Sequence, residues 1–228
     1  MDTELSDALA RMRSDWDTRA KENACYYVAN SSTNWEGREF FRSGEINVAN
    51  EIMPDVPHIC GGQRSPLDLS VLELGCGVGR MTRMLSRIFG HVTAVDISAE
   101  MVNRAQNNLA DLTNITFVVN DGHTLCGLSN DSYDFAFSFI VFQHIPSYAV
   151  IRSYCCEVFR VLKPGALFKF QVQGHPAAKR RPTQYDTWNG FSFTEKDAAL
   201  LAAESNFRFA QTTGANTQYF WLWFRKPG

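Results

Sequence analysis

Four groupings along the chain have residue types and spacings suited to chemistry. The first is VLELGCGVGR at 71–80, an apolar run that carries one acid, Glu73, and then glycines at alternate positions, Gly75, Gly77 and Gly79. Glycine lets a backbone turn sharply and lets a ligand approach without meeting a Cβ. The second is Asp96, which ends TAVD about 20 residues past the glycines, where a carboxylate can accept hydrogen bonds from both hydroxyls of a ribose. The third is Asp121-Gly122 in VVNDGH. A carboxylate there can take a hydrogen bond from an adenine amino group, and the amide of Gly122 or His123 can face a ring nitrogen, with Ile97 and Leu125 on either side of the ring. The fourth is His144 in VFQHIP, an imidazole whose unperturbed pKa is about 6.5.

Each has a plainer reading. Asp96 can be a turn or helix-capping acid, and Asp121-Gly122 can be an ordinary Asp-Gly turn. His144 can be a general base, or can only hydrogen-bond backbone or line a pocket.

These residues need elements to hold them. LSVLEL (69–74), VTAVDI (92–97), ITFVVN (115–120), YDFAFSFI (133–140) and ALFKFQVQ (166–173) read as strands. Helical patterns lie between them, at 80–89, after a Ser98 cap, and over 147–162 with Ile151, Tyr154, Cys155, Val158, Val161 and Leu162 on one face. Gly90 reads as the stop of the first of these helices and Lys163-Pro164-Gly165 as the stop of the last. Alternation of this kind implies right-handed βαβ units and a mainly parallel sheet. Thr194 and Asp197 form a capping box for a final helix. The segments 207–213 and 218–226, separated only by GANT, can pair only as an antiparallel hairpin. Residues 1–65 read as helices and loops, with a weak helical period through Leu5, Leu9, Met12, Trp16 and Ala20, and 53–66 reads as a linker.

In an open parallel sheet, ligands bind beyond the carboxyl ends of the strands, where GCGVG lies. A dinucleotide would ask for GxGxxG, but this chain has GxGxG with Arg80 in the last register. Glu73 is poorly placed beside a pyrophosphate and well placed beside an ammonium group.

Composition excludes other classes. The net charge of −2 does not suit a protein that neutralises many phosphates, and the one dense basic run, Lys179-Arg180-Arg181, reads as a solvated loop. Neither a signal peptide nor an apolar run of the roughly 20 residues a membrane helix needs is visible. The six cysteines show no CxxC spacing and fit reduced thiols in a cytoplasm. For a metal, only His58-Ile59-Cys60 comes near a ligand cluster, and no metal site is expected. Monomer and homodimer are both compatible with the sequence.

Taken in order, the motifs resemble those of class I S-adenosylmethionine-dependent methyltransferases, over about residues 67–226. VLELGCGVGR is similar to the family's first motif, TAVDIS to its acidic second-strand end, NDGHTL to its adenine loop, YDFAFSFIVFQHI to its fourth-strand motif and EVFRVLKPGALFKF to its helix, turn and fifth strand. The resemblance implies a Rossmann-like seven-stranded, mainly parallel sheet with helices on both faces and a closing antiparallel hairpin. It implies an N-terminal helical lid over 1–65 and a cofactor-binding methyltransferase domain over 66–228. It implies S-adenosylmethionine as cofactor, S-adenosylhomocysteine as product and a small-molecule acceptor, with no nucleic acid or membrane partner. By the same resemblance, Gly75, Cys76 and Gly77 lie along the methionine part and Glu73 receives its ammonium. Asp96 holds the ribose, Ile97 and His123 wall the adenine, Asp121 and Gly122 reach its edge, and Ser138 and Phe139 border the sulfonium. Ser-Phe-Ile-Val stands where base- and amide-modifying members carry an Asn/Asp-Pro-Pro-Tyr-type motif, which moves weight to small molecules.

Methyl transfer is an in-line displacement that asks mainly for alignment and exclusion of water. A hydroxyl or ammonium acceptor must also lose a proton, for which His144 is the candidate. Trp16, Tyr26, Tyr27, Trp35, Phe40 and Phe41 can pack the lid or cage a cation. Tyr26, Tyr27, Trp35, Arg42 and Trp188 are the candidate substrate contacts, with Phe191 also placed among the loops beyond the strands. The rivals are a nicotinamide-dependent oxidoreductase, a protein that binds the cofactor without transferring its methyl group, and an RNA or protein methyltransferase.

Overall fold

A computed structural model describes residues 3–176 and 187–228, without the side chains of residues 3 and 4. Lys179-Arg180-Arg181 lies outside the described residues. Among these, seven strands form one mixed sheet with helices around it, as the motif order implies. Residues 13–119 form one compact unit, and residues 1–12 with 120–228 another.

In the unit of 13–119, β1 (Ser70–Leu74), β2 (His91–Asp96) and β3 (Ile115–Val119) are parallel in the order β3-β2-β1. The first two are apolar runs buried almost throughout, which suits strands covered on both faces. β3 alternates exposed Thr116 and Val119 with part-buried residues. Between the strands run α4 (Thr82–Ile88) and α5 (Ala99–Asn108). The Ser98 hydroxyl caps α5 by accepting from the Met101 amide at 3.1 Å, and Glu100 pairs with Arg104 one turn on. Gly90 does not end α4 in the left-handed region. It is needed because a Cβ there would lie 2.0 Å from the Leu67 carbonyl oxygen.

The N-terminal region is more helical than its turn-forming residues suggest. Along α1 (Thr3–Val28), Leu9, Met12 and Ala20 are buried, and the helix breaks at Asn23 (φ −162°, ψ 79°). The Asn23 side chain then accepts from the Tyr26 amide at 3.1 Å and restarts the turn. α2 (Gly37–Glu51) follows. The segment read as a linker folds into short helical turns, including α3 (Val56–Ile59), with Ile59 and Cys60 buried.

In the second unit, β4 (Tyr133–Ser138) is parallel to β5 (Leu162–Val172), which pairs antiparallel with β7 (Phe220–Arg225), itself antiparallel to β6 (Arg208–Thr213). The closing hairpin is therefore as the sequence implies. β5 starts four residues earlier than expected, the strand running on through Lys163-Pro164-Gly165 with Gly165 in the left-handed region at φ +80°. β4 stops two residues early, because Ile140 turns to φ +57°. α6 (Tyr148–Val161) carries the expected buried face, and α7 (Glu195–Glu204) carries the expected Thr194/Asp197 capping box. Phe168, Phe170, Phe207 and Phe224 pack together around this part of the sheet.

Candidate functional site

Parallel pairing of β1 with β2 sets Leu74 opposite Val95, so the glycine bend leaves the sheet beside the acid that ends β2. The Val95 carbonyl accepts both the Gly75 amide (2.7 Å) and the Cys76 amide (3.0 Å). The Gly77 amide donates to Asp96 Oδ2 at 2.8 Å, and the Asn108 side chain on α5 donates to the Val78 carbonyl at 3.0 Å. Gly75, Gly77 and Gly79 all have positive φ, of 75°, 54° and 87°. Only glycine adopts this alternation without strain. Two of the positions are crowded as well: a Cβ on Gly77 would lie 2.7 Å from Val28 Cγ2, and one on Gly79 2.7 Å from Leu109 Cδ1.

Asp96 is half-buried, and its Oδ1 accepts the Ser98 amide at 2.9 Å. Burial pushes its carboxyl up, against the amides of Ser98, Gly77 and Ile97, which pull it down. A carboxylate has about four acceptor sites, so these amides leave acceptor capacity for a further donor. Ile97 beside it is buried. Glu73 is 4% exposed and accepts from the Thr82 hydroxyl at 2.5 Å. Burial pushes the Glu73 carboxyl up to about 7, against Thr82 and the charge of Arg80. A cation would stabilise this buried carboxylate. Burial also holds the Cys76 thiol well above its usual range, so it is no ready nucleophile. Bend, diol acceptor and cation acceptor thus stand within one short stretch of bonded chain, which fits an adenosyl amino acid.

Three neighbours of this stretch escape sequence reading. Asp17 on α1 accepts from the Ser98 hydroxyl (2.5 Å) and the Glu100 amide (3.3 Å), tying the first helix to the cap of α5. Buried Arg80 donates to Asn47 (2.6 Å) and Ser43 (3.3 Å) on α2, and a Cβ on Gly44 would lie 2.1 Å from its carbonyl oxygen. Thr82 is the partner of Glu73. The only advance signal was a glycine, Gly44, inside a helix.

The N-terminal aromatics divide. Phe40 is buried with Ala20, Ala24, Val78 and Met101, and Trp16, Trp35 and Phe41 pack against that cluster. Trp35 donates to the Ala29 carbonyl at 2.6 Å. Tyr26 and Tyr27 meet edge to face, and Tyr27 donates to Glu22 at 2.9 Å. Arg42 is exposed.

In the second unit, Asp121 is engaged by its own turn. Its carboxylate accepts the His123 amide (3.0 Å), the Thr124 amide (2.7 Å) and the Thr124 hydroxyl (2.6 Å), with Gly122 at φ +95°. Burial raises its pKa, but those bonds and the nearby His123 outweigh it and hold the carboxyl below its usual value. Ser138 is fully buried and Phe139 half-exposed, stacked on Trp221 at 5.0 Å. His144 is 5% exposed, and its ring meets that of Trp188 at 5.0 Å. Its Nδ1 donates to the Trp188 carbonyl at 2.7 Å, and its Nε2 accepts from the Gln143 amide nitrogen at 3.1 Å. Both ring nitrogens are therefore engaged.

Among the described residues, no three His, Cys, Asp or Glu side chains come together to hold a metal, and no helix is long and apolar enough to cross a membrane. The six cysteines are free thiols.

Comparison with known proteins agrees with this arrangement. Residues 71–165 match a family described as a methyltransferase domain. The chain is 33% identical over 103 residues to 2-methyl-6-phytyl-1,4-hydroquinone methyltransferase of Synechocystis, covering 45% of this chain and 31% of that protein. It is 31% identical over 117 residues to ubiquinone biosynthesis O-methyltransferase of Xanthomonas oryzae, covering 49% and 48%. The chain thus spans about half, or less, of the length of these curated relatives. Among solved structures, magnesium protoporphyrin IX methyltransferase of Synechocystis with bound S-adenosylhomocysteine superposes with a TM-score of 0.66 at 18% identity, covering 96% of this chain and 98% of that one. The bend, its acid and these likenesses agree with the class I S-adenosylmethionine-dependent methyltransferases, the family match covering residues 71–165.

Proposed function

We propose that the protein transfers the methyl group of S-adenosylmethionine to an oxygen or nitrogen of a small-molecule acceptor. The observation that carries this reading is the Gly77–Asp96 hydrogen bond, which sets a side-chain-free bend beside a diol-binding acid. The relatives' names add support for a small-molecule acceptor, since one names a hydroquinone and the other O-methyl transfer in ubiquinone biosynthesis. When bound, the cofactor supplies a methyl group on a positively charged sulfur; the acceptor's lone pair forms the new bond as the carbon–sulfur bond breaks, and the acceptor's proton leaves to a base.

The chain's own residues do the rest. Glu73 receives the ammonium, Gly75, Cys76 and Gly77 lie along the methionine part, and Asp96 holds the ribose with Ile97 beside it. Asp121, Gly122 and His123 take the adenine, and Ser138 and Phe139 border the sulfur. Residues 1–65 act as a lid on a domain of 66–228, with Tyr26, Tyr27, Trp35, Arg42 and Trp188 facing the acceptor. His144 serves as base once Gln143 gives up its Nε2. A cytoplasmic location is supported by the free thiols.

Calorimetric titration with S-adenosylmethionine and with NADH tests the reading. Binding of the first alone is the expected result, and binding of the second would favour the oxidoreductase. Methylation of a phenol and amine panel then separates transfer from mere binding. The pH–rate profile of His144→Ala is expected to lose its acidic limb, and a retained limb would exclude this base.

A further inference from the structure

Ile140 is a β-branched residue in the left-handed region, at φ +57°. Such a residue pays a steric cost there and keeps the conformation only where its surroundings impose it. What imposes it is visible. The Ile140 amide donates to Gln171 Oε1 at 3.1 Å, from a side chain wholly buried in β5. Gln171 Nε2 donates in turn to Gln143 Oε1 (2.9 Å) and to the Gln218 carbonyl (2.7 Å). Gln143 Nε2 then donates to His144, which donates to Trp188.

The direction of this chain is fixed at both ends. The Ile140 amide can only donate, so Gln171 must present its oxygen to it and its nitrogen to Gln143. The Trp188 carbonyl can only accept, so His144 carries its proton on Nδ1 and takes the Gln143 nitrogen on Nε2. The two constraints agree, and every amide along the way has one orientation.

We infer that Gln171 is a positioning residue: by holding the amide of Ile140 it keeps the end of β4 in its strained turn and fixes Ser138 and Phe139. This rests on the reading above, in which those two residues border the sulfur. His144 and Gln143 complete the polarity that turns the Gln171 oxygen toward Ile140.

The test compares the full-length wild type with Gln171→Leu, Ile140→Gly and the double variant, reading S-adenosylhomocysteine affinity by calorimetry and melting temperature. Gln171→Leu is expected to weaken affinity at least tenfold. Adding Ile140→Gly is expected to bring it back within about threefold, because glycine holds the left-handed turn unaided. A merely structural role for the buried amide would leave the double variant no better than Gln171→Leu, and that result overturns the inference, as does unchanged affinity in Gln171→Leu. Should Gln171→Leu not fold, Ile140→Gly alone decides: it is expected to melt about 2–4 °C above wild type, and a lower melt overturns the inference. Failure of the wild type itself to bind S-adenosylhomocysteine would refute the proposed function instead.

Discussion

Asp96 Oδ2 and the Gly77 amide meet at 2.8 Å across 19 residues of chain. One carboxylate therefore shapes the glycine bend and, in the function proposed above, also holds the ribose. Asp96→Ala is expected to lose both functions. Hydrogen bonds to a charged group are worth about 1.5–3 kcal/mol each, so affinity for S-adenosylmethionine should fall well over tenfold, with a loss of stability in urea of about the same size. Asp96→Asn, which keeps one acceptor oxygen, should lose less of each. Calorimetry and chemical denaturation check both, and unchanged affinity in Asp96→Ala would remove this acid from the site.

Glu73 predicts a pH dependence with a definite sign. Its carboxyl is raised from 4.5 to about 7 in the folded protein, so the folded state holds a proton that the unfolded state releases. Its contribution to stability is complete below about 4.5 and is lost as pH rises through about 7. An arriving ammonium favours the carboxylate. Binding should therefore expel a proton below about pH 7, with affinity falling up to tenfold per pH unit there. Titrations in buffers of different ionisation heat would show the released proton in wild type and none in Glu73→Gln.

Gly77 is constrained twice, by φ +54° and by Val28 at 2.7 Å from a built Cβ. Gly77→Val should abolish cofactor binding while the chain still folds, at a cost of about 1–2 kcal/mol for the left-handed backbone plus the overlap. Pairing Gly77→Ala with Val28→Ala should recover the overlap part of the stability and leave the backbone part. Urea midpoints of the single and double variants separate the two, and equal midpoints would show that Val28 does not press on the bend.

Asp17 joins the first helix to the cap of α5. Asp17→Ala should cost about 1 kcal/mol, as other lost caps do. Limited proteolysis should also cleave the variant sooner within residues 13–28. Cleavage at the wild-type rate would mean that Asp17 does not hold this helix down.

The features readable beforehand are those written in backbone preference. Alternating glycines demand a bend, Ser98 and Thr194 demand caps, and a four-residue link demands a hairpin. What stayed hidden runs against local preference or is silent in sequence. Nothing about Ile140 announces a left-handed turn, since β-branched residues avoid one. Gln143 and Gln171 look like any polar residues on a loop and a strand, and become a directed chain only through tertiary proximity. The short helical turns at 53–66 were not legible because buried Ile59 and Cys60 stand among prolines and glycines that signal irregular chain.

The break at Asn23 leaves Val28, which presses on Gly77, on a single turn of helix detached in geometry from the long segment anchored through Asp17. Meanwhile α2 lies so close to the Arg80 carbonyl at Gly44 that a side chain there would overlap it. Residues Ala24–Val28 therefore reach the glycine bend as a turn of their own, set by the break at Asn23 rather than by the Asp17 anchor.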